Sequence, residues 1–350
     1  MTSKEFGFYI AKLIGKQDLT REETAACFRE ILGNKQCEMQ QGAFLAALAA
    51  KGELACEIAA AWQSIYELDT VKVELSLEEP LVENCGTGMD SLKTFNVSTA
   101  ASIIAAAAGA TIARHGSRSI TSRCGTIDML ELLGINVECT PEVVARSIER
   151  AGIGVFNGNS PLVHPVALGK ILSQISFGTT LNIAASLANP ASPKHAVRGV
   201  YCPGLLLPTA MAMKEIGYLR AIVVYGTRGE GVEGGIDEAS TLGESYICEL
   251  KEDGSVIEYV ISPESFGIDR HGESDIVMGN CVDEEVGSME MLLKGDGSRQ
   301  RSEIACLNAG LVLYISGMEP DIYTGYERAL KTLSKGEPME KLREWASVQK

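Results

Sequence analysis

Several features that mark common protein classes are missing from this chain of 350 residues. It has no uninterrupted apolar run of membrane-spanning length, and its start, MTSKEFGFYI, lacks a signal-peptide pattern. No membrane association is therefore expected. Its ten cysteines include no CxxC pair, which favours reduced thiols in a cytoplasmic protein over disulfides or a zinc site.

Positive charge is also scarce. Lys and Arg total 31 against 46 Asp and Glu, which gives a formal net charge of −15. Proteins that bind nucleic acid need a basic surface, so this balance disfavours nucleic acid as a partner. Hydrophobic residues make up 45% of the chain, which is typical of a globular protein with a sizeable core.

The order of predicted elements indicates an α/β protein with two domains. Residues 1–70 show helical periodicity and predict a small all-helical N-terminal domain. Residues 75–350 alternate short β-like runs with helices, which predicts a larger α/β domain with a mostly parallel central sheet flanked by helices. Residues 158–188 are predicted to be helical and to join the N-terminal helices in space. The β-like runs are residues 80–82, 111–113, 135–139 and 220–225, followed by a hairpin of 246–250 and 256–261.

One stretch, residues 84–128, concentrates glycine, hydroxyl and basic side chains. Gly86 and Gly88 allow the backbone to approach a ligand closely. The helix that opens near Asn96 exposes N–H groups that favour an anion. A ligand with several phosphates is one interpretation, and two ordinary strand–turn–helix corners are the alternative, because GxG alone is a weak motif. The second loop of the stretch brings together Arg114, His115, Arg118 and Arg123.

A second candidate site is the adjacent pair Asp237 and Glu238 in the sequence GGIDEAS. Neighbouring carboxylates on a glycine-rich loop can hold Mg²⁺, which prefers oxygen ligands. A solvated acidic turn is the alternative interpretation of this pair.

These motifs resemble the anthranilate phosphoribosyltransferase family. GTGMDSLKTFNVST is similar to the family's GTGGD…TFNxST, and RHGSRSITSRCGTID is similar to its KHGNR…SGSAD. The resemblance also covers LTREE, QQGAFLAALAAKGE, the His164-Pro165 pair, LANP and IDEAS. It implies a pentosyltransferase that uses 5-phosphoribosyl 1-diphosphate (PRPP) and Mg²⁺ to ribosylate a nitrogen acceptor. It also implies a homodimer formed through the N-terminal helices.

The resemblance implies three groups of site residues, and none is assigned as an acid or base because this chemistry depends on positioning and charge stabilisation. The metal group is Ser98, Asp237 and Glu238. The acceptor group is Ser117, His164, Lys170 and Leu172. The donor group is Gly86, Thr87, Gly88, Asp90, Thr94, Asn96, Ser98, Thr99, Arg114, His115, Gly116, Ser117, Arg118, Ser122 and Thr126.

The acceptor half departs from the family pattern. The family's VRxxLGxRT pattern supplies an Arg for the anthranilate carboxylate, and the matching run here is residues 170–179. Counting back from Thr179 places Leu172 at the Arg, and counting forward from His164 places Gln174 there. Neither side chain is cationic, although Lys170 lies nearby. Because an unpaired buried carboxylate is costly, we expect an acceptor other than anthranilate.

Three other functions stay open. The first is a genuine anthranilate phosphoribosyltransferase of tryptophan biosynthesis. The second is a nucleoside or nucleotide phosphorylase-like enzyme, since TSRCGTIDMLE resembles TSxxGTxDxxE of that superfamily. The third is a non-catalytic relative that binds nucleotides or nucleic acid.

Overall fold

The computed structural model describes residues 1–119, 123–279 and 281–350. The predicted fold class is confirmed: an all-helical N-terminal part precedes an α/β part with a mostly parallel sheet. The helices are α1 Ser3–Ile14, α2 Arg21–Leu32, α3 Glu38–Lys51, α4 Ala55–Leu68, α5 Val97–Ala107, α6 Thr126–Leu132, α7 Pro141–Ala151, α8 Leu168–Ser173, α9 Thr180–Leu187, α10 Leu206–Ile216, α11 Glu273–Ile276, α12 Val282–Leu293, α13 Arg299–Ile315, α14 Ile322–Ser334 and α15 Glu337–Val348. In these ranges no helix is long and apolar enough to cross a membrane.

The sheet has the strand order β3-β2-β1-β4-β5-β7-β8, with the short β6 beside β5. The strands β1 to β5 run parallel, and β6, β7 and β8 are antiparallel to their neighbours. The chain leaves β1 to form β2 on one side and later returns to form β4 on the other, so a crevice opens beyond the carboxyl end of β1. The strands are β1 Leu81–Cys85, β2 Thr111–Gly116, β3 Ile153–Asn157, β4 His195–Gly199, β5 Arg220–Thr227, β6 Gly235–Ile236, β7 Ser245–Leu250 and β8 Val256–Ile261.

The N-terminal helices bury their apolar faces in one cluster with two later helices. Phe44 lies at its centre, with its ring 5.4 Å from that of Phe6 and 5.8 Å from that of Phe28. Leu168 of α8 and Leu181 of α9 belong to the same cluster. The N-terminal helices and the segment around residues 168–187 therefore form one helical layer. The domain boundaries at residues 70 and 75 stay a prediction.

Two local predictions were wrong. Residues 135–139 form a loop instead of a strand. The strand that pairs with β2 on the side away from β1 is β3, in a register that runs from Ile112 opposite Ile153 to Gly116 opposite Asn157. Of residues 158–188, only α8 and α9 are helical. The loop before α8 contains Pro165, which lacks an N–H, and the helix starts where the Asp69 carboxylate accepts N–H bonds from Ala167 and Leu168 at 2.9 and 2.7 Å.

A fully buried ion pair joins β1 to β4 beneath the crevice. Glu83 Oε2 lies 2.6 Å from Arg198 Nη2, and both side chains are wholly buried. Asn189 Nδ2 donates to the second Glu83 oxygen at 2.9 Å. Burial lowers the pKa of Arg198, but the Glu83 carboxylate outweighs it and raises that pKa above its ordinary value. Burial raises the pKa of Glu83, and Arg198 opposes that rise. The contact between the two side chains holds the two central strands in one arrangement.

Removing one partner of this pair is expected to be costly. Arg198→Met should lower the free energy of unfolding by about 3–5 kcal/mol, because Glu83 is left charged and buried. Arg270→Met is the matched control, since Arg270 pairs with Glu264 at 2.6 Å in an exposed position and should cost less than about 1 kcal/mol. Urea denaturation measures both, and equal losses in the two variants would contradict the account.

Candidate active site

The crevice at the carboxyl ends of the strands is a cleft built by the loops after β1, β2 and β5 and by α8 and α9. Most of the predicted site residues meet there, although they come from distant parts of the chain. Those that line the cleft are Gly86, Thr87, Gly88, Asp90, Thr94, Asn96, Ser98, Arg114, His115, Gly116, Ser117, Arg118, Thr126, Leu172, Asp237 and Glu238.

Four predicted residues lie elsewhere. Thr99 points into the core from the first turn of α5 and is only 1% exposed. His164 sits behind His115 instead of lining the cleft. Lys170 is exposed on another face of α8, where its Nζ lies 3.2 Å from Glu38, and it does not line the cleft. Ser122 lies outside the described residues.

Three carboxylates meet on the floor of the cleft. One oxygen each of Asp90, Asp237 and Glu238 lies within 4.8 Å of the others. Asp237 Oδ2 accepts the Gly88 N–H at 2.6 Å and the Thr87 hydroxyl at 3.3 Å. Glu238 Oε2 is buried without a hydrogen-bond partner in the described chain. These oxygen ligands suit a hard divalent cation. The sequence analysis assigned Asp90 to the phosphoribosyl donor, and the structure places it beside the predicted metal pair.

Burial and mutual repulsion set the protonation of this cluster. Burial, with the charge of Asp237, raises the pKa of Asp90 to about 7. Burial and the same neighbour raise the pKa of Glu238 well above its ordinary value. Like charges held this close favour protons or cations among them. The cluster is therefore prepared for a positively charged ligand.

Gly86 is required by this cluster. A Cβ at residue 86 would lie 2.4 Å from Asp237 Oδ2, so any other residue there would force the Asp237 carboxylate to shift. Gly88 has a φ of 72°, in the left-handed region that favours glycine. The GTG motif thus lets the loop after β1 approach the carboxylates, whereas the sequence interpretation had explained the same glycines by the approach of a ligand.

Lys93 is a cleft residue that the sequence analysis missed. Its Nζ donates to the Asp90 carboxylate at 3.1 Å, to the Asp90 carbonyl at 2.9 Å and to the Gly88 carbonyl at 3.3 Å. The ammonium group thus folds the loop onto itself beside the carboxylates. A lysine three residues after the aspartate was the available signal. The other lining residues that were missed are Cys85, Met89, Phe95, Ser119, Cys124, Gly125, Gly158, Leu168, Asn182, Ala185 and Ser186.

Arg114 supplies the buried positive charge of the cleft. It is only 1% exposed, and its Nη2 lies 3.3 Å from Ser98 Oγ and 3.4 Å from Thr126 Oγ1. Its Nε and Nη1 have no hydrogen-bond partner among the described residues. A buried guanidinium with unused donors at the edge of a cleft is suited to bind phosphate oxygens.

Arg118, which also lines the cleft, is bound to carboxylates of the protein itself. Its guanidinium binds three carboxylates: Asp128 at 3.0 Å, Glu131 at 2.8 Å and Glu138 at 2.9 Å. These carboxylates raise its pKa above the ordinary value, and its backbone N–H donates to Asn159 Oδ1 at 2.6 Å. Arg118 therefore holds the loop after β2 in place, and its charge is already matched.

The opposite end of the cleft is mostly apolar. Leu168, Leu172 and Ala185 line it together with the ring of His115. Of the two residues that counting places at the family's Arg, Leu172 thus stands in this wall, whereas Gln174 lies in another cavity. The pattern's second Arg corresponds to Gly178, where a Cβ would lie 2.8 Å from the ring of Tyr201. Burial raises the pKa of the Cys124 thiol to about 11, so this cleft residue is not a reactive thiolate.

Comparisons with known proteins show which family this chain resembles. The helical bundle domain of a glycosyl transferase family matches residues 9–68, and the a/b domain of a glycosyl transferase family matches residues 78–339. The anthranilate phosphoribosyltransferase of Chloroflexus aggregans is 33% identical over 97% of each chain. That of Methanosarcina acetivorans is 38% identical over 96% of this chain and 88% of its own length. The chain belongs to the anthranilate phosphoribosyltransferase family.

Solved structures agree with this membership. The anthranilate phosphoribosyltransferase of Thermus thermophilus superposes with a TM-score of 0.84 at 30% identity, over 97% of this chain and 99% of that one. A Saccharomyces cerevisiae anthranilate phosphoribosyltransferase in complex with PRPP and Mg shares the fold, with a TM-score of 0.83 at 21% identity over 99% and 98% of the two chains. The prediction of a pentosyltransferase is confirmed. The curated relatives favour anthranilate as the acceptor over the different acceptor that the sequence predicted.

Proposed function

We propose that this chain transfers the phosphoribosyl group of PRPP to the amino group of anthranilate, with Mg²⁺ as the metal. The observation that carries the proposal is the cleft itself, which combines three carboxylates and the unused donors of Arg114 with an apolar wall that includes Leu168 and Leu172. Relatives at 33–38% identity over nearly the whole chain bear the name of this activity.

The residues present fit a magnesium ion. Asp237 and Glu238 would hold it with Ser98, which lines the same cleft, and Asp90 lies within the same carboxylate cluster. The unpartnered Glu238 oxygen is the observation that supports this assignment. When bound, Mg²⁺ neutralises the charge that builds up on the departing diphosphate.

The chain's own groups complete the donor end. Arg114 offers two free donors to phosphate oxygens, and the N-terminus of α5 after Asn96 presents backbone N–H groups to the cleft. During transfer the bond between the anomeric carbon and the diphosphate oxygen breaks, and a bond to the acceptor nitrogen forms while that nitrogen loses a proton. Leu168 and Leu172 form an apolar wall that limits the access of water to the reacting carbon.

A second acceptor class is favoured by one observation. Neither residue that counting places at the Arg of the family pattern is cationic, and one of them, Leu172, lines the cleft, so a neutral aromatic amine would meet a matching apolar wall. Burying the carboxylate of anthranilate there without a partner would cost several kcal/mol. The proposed function therefore needs another source of positive charge.

We also propose a homodimer formed through the N-terminal helices. Phe8 and Ile14 of α1 are 64% and 69% exposed, and Met39 of α3 is 86% exposed. Apolar side chains this exposed on neighbouring helices are typical of an interface. Light scattering at micromolar concentration should give twice the chain mass for the wild type and a smaller mass for Phe8→Ser with Ile14→Ser. A wild-type monomer would remove the proposal.

The acceptor is tested by steady-state release of diphosphate from PRPP with Mg²⁺. Anthranilate should be turned over at least about tenfold more efficiently than anthranilamide or aniline, since a matched buried charge is worth more than about 1.4 kcal/mol. Lys170→Ala should leave the KM for anthranilate within about twofold, because Nζ faces Glu38 in a different cavity. Efficient turnover of aniline with none of anthranilate would instead support the neutral acceptor.

A further inference from the structure

Two buried histidines lie in contact at the apolar end of the cleft. His115 lies near the carboxyl end of β2, and His164 lies in the loop before α8. The two residues are 5% and 4% exposed. Their Nε2 atoms are 3.0 Å apart, and their ring centroids are 5.0 Å apart. His115 lines the cleft while His164 stands behind it. We call them the histidine pair.

When both histidines are neutral, they have too few N–H groups for the hydrogen-bond acceptors around them. His164 Nδ1 contacts the carbonyl oxygen of Asp69, which can only accept, so this nitrogen carries the hydrogen. The Nε2 of a neutral His164 is then a lone pair, and His115 Nε2 must donate to it. The carbonyl oxygens of Ala185 and Ser186 also face the His115 ring. A neutral His115 has no N–H left for them.

One additional proton completes this pattern, and it belongs on His115. The resulting imidazolium donates both to His164 and to the carbonyls, and its charge lies in the wall of the cleft. Burial lowers the pKa of both rings, and His164 and Arg198 lower that of His115 further. The free pair is therefore neutral near pH 7. The other polar groups that face it are the Thr70 hydroxyl, 3.5 Å from His164 Nδ1, and the Asp69 carboxylate, which is bonded to the start of α8.

The rest of the cleft offers this end no other available charge among its described lining residues. Lys93 is bound to Asp90, and Arg114 stands beside Ser98 at the donor end. Arg118 is matched by three carboxylates. Neither Leu172 nor Gln174, the two residues that counting places at the family's Arg, is cationic. An acceptor carboxylate therefore meets the histidine pair as the nearest group that can become positive.

We propose that an aromatic carboxylate entering this end of the cleft draws one proton onto His115, so that the histidine pair supplies the counter-charge for the acceptor. The proposal rests on the proposed function, because it takes the acceptor to be a carboxylate. His164 acts as a positioning residue, since it accepts the Nε2–H of His115 and fixes the ring for protonation.

The linkage has a definite sign. A bound carboxylate raises the pKa of His115, which is lowered in the free protein, so binding takes up a proton at pH values between the two. Between the free and the bound pKa of His115, the Kd of a carboxylate should rise about tenfold for each pH unit. A neutral ligand of the same shape should show no such dependence.

Calorimetry with unreactive probes tests the proposal without depending on transfer. Benzoate and benzamide are titrated into the wild type near pH 7.5 in buffers of different ionisation enthalpy. Benzoate should take up about one proton and benzamide none. His115→Gln, which lacks the group that takes up the proton, should remove the uptake, while His195→Gln, which changes a histidine outside the cleft, should keep it. Should His115→Gln fail to fold, the wild-type Kd of benzoate from pH 6 to pH 9 decides the question.

Several outcomes would overturn the inference: no binding of benzoate, binding without proton uptake, or uptake that His115→Gln leaves unchanged. Failure of the proposed function has a different signature. Proton uptake with benzoate but no turnover of anthranilate would remove the acceptor and leave the inference standing. Turnover of anthranilate without proton uptake on benzoate binding would support the proposed function and overturn the inference.

Discussion

Repulsion among the three cleft carboxylates is the constraint on which the site depends. At separations within 4.8 Å, each pair of charges costs roughly 3–4 kcal/mol at an effective dielectric constant near 20. The surrounding groups offset this cost. The Gly88 N–H donates a hydrogen bond to the Asp237 carboxylate, and the Lys93 ammonium donates one to the Asp90 carboxylate. These contacts explain why the loop after β1 combines glycines with a lysine, and why a divalent cation completes the arrangement.

The parallel sheet brings these groups together. The loop after β1 carries Asp90, and the chain beyond β5 returns past β6 to place Asp237 and Glu238 over the same crevice. The close approach extends to β4, because a Cβ at Gly199 would lie 1.6 Å from the Asp237 carbonyl oxygen. Beneath them the Glu83 and Arg198 pair fixes β1 against β4. The geometry of the carboxylates thus depends on backbone contacts as much as on side chains.

Much of this arrangement could be predicted from sequence, because local chemistry determines it. Glycines, hydroxyls and carboxylates at fixed spacing indicated the donor end, and alternating elements indicated the sheet. The failures have tertiary causes. The direction in which the Lys170 side chain points depends on the residue at which α8 starts. The Asp69 carboxylate, at the end of α4, determines that start. Arg118 found three carboxylates on α6 and the loop after it. The histidine pair joins residues 49 positions apart, and no periodicity indicates that contact.

The central claim is that the carboxylate cluster and Arg114 together bind the donor through a metal ion. Calorimetry of PRPP with and without Mg²⁺ tests it most directly. The account predicts binding that requires Mg²⁺, is weakened about 10- to 100-fold in Gly86→Ala, whose Cβ would displace Asp237, and is unchanged in Gly287→Ala, where a Cβ meets open space. Equal affinity without the metal, or no binding at millimolar PRPP, would contradict the account.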